Sequence, residues 1–247
     1  MKPAGALELG VPRGSLLERL AVVVGAFVLA TASTYPLAAM FGTGGRFENN
    51  DAYFSVWRVA WMARTLIVDP AHLFDANIFA PHENTLAYSE STVALGLLAA
   101  PVYWVTGNPI AAHNSVVLLA FMSSAICAYY LARRLTNSRG AAMISAILFA
   151  NCPYVFGRLS HIHLLFTAGL PLSLLAFHRW VERPTAARGV QLGLALFATS
   201  AASGYYGIFA GVSIGFAWIF HALSGSRWRH ADYWIGGLLA AGTWARS

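Results

Sequence analysis

Apolar and polar positions fall in long blocks along this chain. Leu20 to Phe41 is an uncharged run of 22 residues, about 33 Å as a helix at roughly 1.5 Å per residue, which matches a bilayer core of about 30 Å. Further uncharged stretches occur at Thr92 to Val105, Pro109 to Leu131, Gly140 to Gly157, Leu164 to Phe177, Ala186 to Ala202, Tyr205 to Phe220 and Tyr233 to Trp244. The pattern predicts an all-α integral membrane protein.

Between Gly42 and Ser91 the pattern changes. This stretch holds six acidic residues, two His and the turn-forming segments Gly42 to Gly45, Asp69-Pro70 and Pro81 to Asn84, so it reads as the one long polar loop. Within it, Asp51 to Val68 carries Phe54, Trp57 and Trp61 at helical spacing, with Arg58 and Arg64 off that stripe. Such a helix suits the membrane interface or a berth against the bundle.

Charge sets the number of crossings. Lys2, Arg13 and Arg19 precede an apolar run too long for a signal-peptide core, so residues 1–19 are expected to be a cytoplasmic N-terminus ahead of an uncleaved anchor. If every stretch crossed, the clusters Arg133/Arg134/Arg139, Arg179/Arg183/Arg188 and Arg227/Arg229 would lie outside, against the positive-inside rule. Thr92 to Val105 has only 14 residues and ends at the Thr106-Gly107-Asn108-Pro109 turn. Reading it as a re-entrant or surface helix places 11 of the 16 basic residues in the cytoplasm. The expectation is about seven transmembrane helices over residues 20–247, with a large first external loop at 42–108 that carries interfacial helices. A break at Ser203-Gly204 divides two of the spans. The last run stops at Trp244-Ala245-Arg246-Ser247 without a polar tail, and the chain is expected to be truncated at its C-terminus.

Composition narrows the field. The chain is 57% hydrophobic and 11% charged, against about 25% charged in an ordinary globular domain. Its net charge of +6 comes from Arg in small clusters between apolar runs, which excludes a nucleic-acid-binding face. Cys127 and Cys152 each sit in an apolar run and read as small buried hydrophobes. The sequence has no Walker loop, dinucleotide glycine pattern or His-Glu-x-x-His; no cofactor and no metal are expected.

With this topology the remaining polar residues collect on one side, from four separate segments: Glu48 to Asp51, the Asp69 to Glu90 loop, Arg158 to His163 and Ser203 to Gly207. Asp51, just past the first span, can act as a general base or cap a helix. Glu48 supplies a second carboxylate nearby if the segment is helical, and is otherwise a solvated loop charge. Glu90 closes the loop on the same side. His161 and His163 diverge by about 200° on a helix and share a face only in an extended segment. Contact with an anionic phosphate or with Asp51 is therefore favoured over a metal pair. Arg58, Arg64 and Arg158 lie outside against the orientation trend, where a guanidinium can grip a phosphate in a forked geometry. Snorkelling to headgroups is the alternative, above all for Arg64. Tyr205 and Tyr206 suit stacking on a sugar ring or polyprenyl chain, or plain interfacial placement.

These segments together resemble the N-terminal half of bacterial multi-pass membrane glycosyltransferases of the GT-C fold. The resemblance rests on Asn50-Asp51 with Trp57 and Trp61, on Asp69 to Pro81 and Asn84 to Glu90, and on Thr106 to Pro109 with His113-Asn114. It continues through Ala132 to Thr136, Cys152-Pro153-Tyr154, His161, Pro171-Leu172 and Ser203 to Tyr206, covering residues 44 to 210. It implies transfer of a sugar from a polyprenyl-phosphate donor to a lipid or glycan acceptor at the outer face of the bacterial cytoplasmic membrane, with Asp51 as the catalytic base. Glu48, Arg58, Glu90, Arg158, His161, His163, Tyr205 and Tyr206 would line the substrate site. Many members carry two adjacent acids where this chain has Asn50-Asp51, and relatives are longer, so a protein partner supplying the missing half is expected beside the lipid substrates and membrane lipids. The alternatives are a non-catalytic lipid-binding or assembly subunit of an envelope-polysaccharide system, or an inactive fragment. Transport ranks last, because the spans following the loop hold no acidic residue before Glu182 and no internal repeat is evident.

Overall fold

A computed structural model describes residues 15–45, 49–90, 92–224 and 229–245. Among the described residues the elements are all helical: α1 (Leu16–Ser33), α2 (Asn50–Val68), α3 (Val93–Thr106), α4 (Pro109–Thr136), α5 (Arg139–Ala150), α6 (Pro153–Phe156), α7 (Ile162–Leu165), α8 (Gly169–Glu182), α9 (Ala186–Ala202), α10 (Gly204–Ser224) and α11 (Ala231–Trp244), with two short 3-10 turns at Pro70–His72 and Thr85–Tyr88. Among the described residues four stretches are long and apolar enough to cross a membrane: Leu16–Ser33, Pro109–Thr136, Arg139–Phe156 and Gly204–Ser224. Of the seven crossings expected, these four reach that length; α8, α9 and α11 have 14, 17 and 14 residues.

Prolines explain where the helices depart from the uncharged runs. The first helix stops at Ser33 and the chain turns repeatedly as far as Thr43, because Pro36 has no N–H to donate and disfavours helix before it. The third candidate crossing is interrupted at Asn151-Cys152, where Pro153 opens α6. Residues 157–168 are mostly irregular and lead into α8 only at Gly169. The break between α9 and α10 falls at Ser203, where the sequence marks it.

Outward faces are apolar. Val24 and Phe27 of α1, Ile144 and Leu148 of α5, and Val212, Phe216 and Phe220 of α10 are large and exposed. In water such a belt drives association; in hydrocarbon it matches its solvent.

α4 is the axis on which α1, α2, α3, α5 and α8 pack. Asn114 and Arg133 lie about 28 Å apart along it, close to one hydrocarbon thickness. At the far end, Arg133 and Arg139 hold Glu18 of α1 at 3.3 and 2.9 Å, and Arg134 pairs with Glu182 of α8. At the near end, Asn108 caps α4 by accepting from the Ile110 and Ala111 amides while its own amide donates to the Gly42 carbonyl. The fully buried Asn114 donates to the Phe41 and Gly44 carbonyls at 2.9 and 2.8 Å. The strap from α1 to α2 is thereby fixed to the top of α4, which sets where α2 begins.

α2 packs into the bundle rather than lying flat at the interface. Ala52, Ser55, Arg58, Val59, Met62 and Ala63 form its buried face, so Arg58 sits inside and not on the polar side of an aromatic stripe. Phe54, Trp57 and Trp61 are half-buried instead, and the Trp61 indole donates to the Leu73 carbonyl at 3.1 Å, pinning the polar loop. α3 is a single 14-residue helix against α2, tied by the Trp104 indole to the Ala63 carbonyl at 2.7 Å.

Replacing Asn114 by Leu strips both strap carbonyls of their donor. Thermal unfolding of the detergent-solubilised protein should register a loss of about 1–3 kcal/mol, the cost of unmade buried hydrogen bonds; an unchanged midpoint would show that the strap is held elsewhere.

Candidate functional site

The first turn of α2 is capped by Asn49, whose side chain accepts from the Ala52 amide at 3.1 Å. Asp51 is thus relieved of the capping role and its carboxylate is 61% exposed. Its partner is His161, which immediately precedes α7 and places Nε2 3.4 Å from the Asp51 carboxylate. One turn further along the same face, the Ser55 hydroxyl donates to the Ser160 carbonyl at 2.9 Å. Two contacts therefore stitch α2 to the irregular segment before α7.

Two turns beyond Asp51, Arg58 is only 3% exposed. Its guanidinium donates to the Glu90 backbone carbonyl at 2.6 Å and lies 4.8 Å from the Phe54 ring centroid, while its Nε has no hydrogen-bond partner. Burial pushes this group down from its ordinary range and the charges of Glu90 and Asp51 push it back up; an arginine stays protonated throughout. Among the described residues no carboxylate forms an ion pair with it. The Glu90 carboxylate turns to the start of α10, accepting from the Gly204 amide at 3.3 Å. There the negative charge meets the positive end of the helix dipole. A side chain on Gly204 would press on Glu90, since a Cβ there would lie 3.1 Å from its Oε1.

His163 is buried between these elements and stacks on Tyr205, with ring centroids 6.3 Å apart. Burial, with the nearby charges of Arg58 and His161, pushes its imidazole down to about 4, so it is neutral at pH 7. Tyr205 is 54% exposed. Its neighbour Tyr206 is buried: the hydroxyl donates to the Leu164 carbonyl at 2.7 Å and pairs with the Tyr154 hydroxyl at 3.1 Å. Tyr206 therefore braces α10 against residues 154–164, while the Tyr205 ring stays exposed. Arg158 is exposed, its guanidinium 5.4 Å from the Tyr154 ring centroid, with its fork available.

The structure brings together Asp51, Arg58, Glu90, His161, His163 and Tyr205 from four segments, with Arg158 on the same segment as His161. Glu48 lies outside the described residues. No group of three or more metal-ligating side chains occurs among the described residues. Ser55, Ser160 and Tyr154 are the site's additional members; Ser55 was accessible through its i, i+4 spacing from Asp51, whereas Ser160 acts through its backbone. The Gly-x-Ser-x-Gly spacing at Gly211 to Gly215 falls within the continuous helix α10, without the strand-to-helix turn that exposes a nucleophile. Comparison with protein-family models, curated proteins and solved structures found no match.

His163 stays neutral in the fold until about pH 4, whereas in an unfolded chain it protonates near 6.5. The unfolded state binds the extra proton between these values, so His163 lowers stability as the pH falls through that window. Thermal unfolding measured from pH 7 to 4 should lose part of this pH dependence in His163→Phe; an equally steep profile in the variant would assign the proton elsewhere.

Proposed function

We propose that the protein is a membrane glycosyltransferase that moves a sugar from a polyprenyl-phosphate donor to an acceptor hydroxyl. In this reading the chain crosses the bacterial cytoplasmic membrane seven times with its N-terminus inside, and the Asp51 site faces outward. The supporting observation is the pairing, on one face of α2, of an exposed carboxylate with a buried guanidinium that carries no ion-paired carboxylate among the described residues. Asp51 and Arg58 are seven residues apart, about 10 Å along the helix, the distance a sugar would bridge between an acceptor at one and a phosphate at the other.

The chemistry is a single displacement. Asp51, oriented by His161, takes the proton of the acceptor hydroxyl as its oxygen bonds to the anomeric carbon. The bond from that carbon to the donor phosphate oxygen breaks and the electron pair leaves with the phosphate. Arg58 and Arg158 balance the charge it gains, in a setting where fixed donors act more strongly than in water. Tyr205 offers an aromatic face for the sugar or the first isoprene units. Asp51 then releases its proton to the aqueous face, to which it is open.

Proteoliposomes supplied with a polyprenyl-phosphate hexose and an acceptor test this reading. Asp51→Asn should lower transfer at least about 100-fold, the lower range for loss of a general base, with membrane insertion and melting unchanged. Transfer at the wild-type rate in that variant removes Asp51 from the mechanism. Absence of turnover by the wild type with any polyprenyl-linked donor leaves a lipid-binding protein instead.

A further inference from the structure

At the end of the bundle away from Asp51, α1 and α5 each pack on α4 and leave between them a groove of about 700 Å³. Its lining mixes small residues, among them Gly25 of α1, Ala125 of α4 and Gly140 of α5, with large apolar ones such as Leu29, Met143 and Ile147. From Arg139 to Ile147 on α5 the groove runs about 12 Å, and along α1 up to about 25 Å, so it reaches from one surface through a leaflet of a bilayer whose core is about 30 Å thick.

The mouth is charged. Glu18 is held by the Tyr129 hydroxyl at 3.0 Å, by Arg133 at 3.3 Å and by Arg139 at 2.9 Å. Two guanidinium groups face one carboxylate, leaving one positive charge in excess, and the Arg139 side chain is 69% exposed. An apolar furrow of leaflet depth under a net cation matches one ligand class: an anionic phospholipid with an acyl chain in the groove and its phosphate at Arg139. A packing helix or a second copy would fill the furrow equally well but would make no use of that charge. Because lipid tails are as apolar as the groove, filling it supplies little net hydrophobic driving force. Selectivity therefore comes from the headgroup.

We infer that the α1–α4–α5 groove is a binding site for an anionic phospholipid, separate from the Asp51 site and independent of the activity proposed for it. A Cβ placed on Gly25 meets no atom within 4 Å, so Gly25→Phe can fill the groove without displacing its neighbours. The test is native mass spectrometry of the purified protein mixed with dioleoyl phosphatidylglycerol or, separately, dioleoyl phosphatidylcholine. The wild type should bind the phosphatidylglycerol about fivefold better, the factor expected for one basic side chain at an anionic surface. Arg139→Gln should erase that preference and Gly25→Phe should reduce both adducts. Equal binding of the two lipids by the wild type, or undiminished adducts in a Gly25→Phe protein of normal melting temperature, overturns the inference. So does a dimer mass that Gly25→Phe abolishes, which would give the groove to a second copy. If Gly25→Phe does not fold, the headgroup preference and its loss in Arg139→Gln decide alone.

Discussion

One buried guanidinium ties the site together. Arg58 is almost wholly enclosed, and a charge removed from water must be met by hydrogen bonds or an opposite charge. It meets the backbone carbonyl of Glu90. That bond fastens the end of the polar loop to α2, and the Glu90 carboxylate in turn caps α10. Three segments distant in sequence are thereby fixed by one side chain and the residue it holds. Its Nε is enclosed without a protein partner, so one donor of the guanidinium is left unmet.

The bilayer imposes the rest. Irregular backbone at membrane depth is tolerated only where protein surrounds it, and besides the polar loop the strap at residues 34–44 and the stretch at 157–168 are irregular connections among the described residues. Both are serviced by polar side chains from helices: Asn108 and Asn114 for the first, Ser55, Ser124 and Tyr206 for the second. The irregular stretch before α8 is what allows His161 and His163 to reach Asp51 and Tyr205 respectively. An uninterrupted helix there would have sent the two imidazoles to different faces. The ion pairs of Glu18 and Glu182 anchor the opposite end, where the clustered arginines meet.

The apolar blocks and the charge clusters were legible in the sequence, because hydrocarbon length and charge act on composition alone. So was the convergence of Asp51, Arg58, His161 and Tyr205, which follows from placing their segments on one side. Helix ends were less legible, since Pro36 and Pro153 lie within uncharged runs that no count of apolar residues divides. The aromatic stripe of α2 misled for a different reason. Phe54, Trp57 and Trp61 mark the helix, but Val59 and Met62 together with Arg58 fill its buried face, and a buried arginine is visible only once its carbonyl partner is known. Likewise Tyr206 and Tyr205 are alike in sequence, and only the path of residues 154–164 makes one a brace and the other an exposed ring.

The central claim is that Arg58 makes this a phosphate-recognising site at the membrane face. The most direct test is to titrate the purified protein with a polyprenyl phosphate and with the corresponding uncharged polyprenol, and to repeat both titrations with Arg58→Gln. The account predicts that the phosphate binds the wild type at least about tenfold more tightly, in keeping with a charge-assisted hydrogen bond, and that the difference largely disappears in the variant. Equal affinities for the two lipids in the wild type, or a preference that survives the substitution, would contradict it.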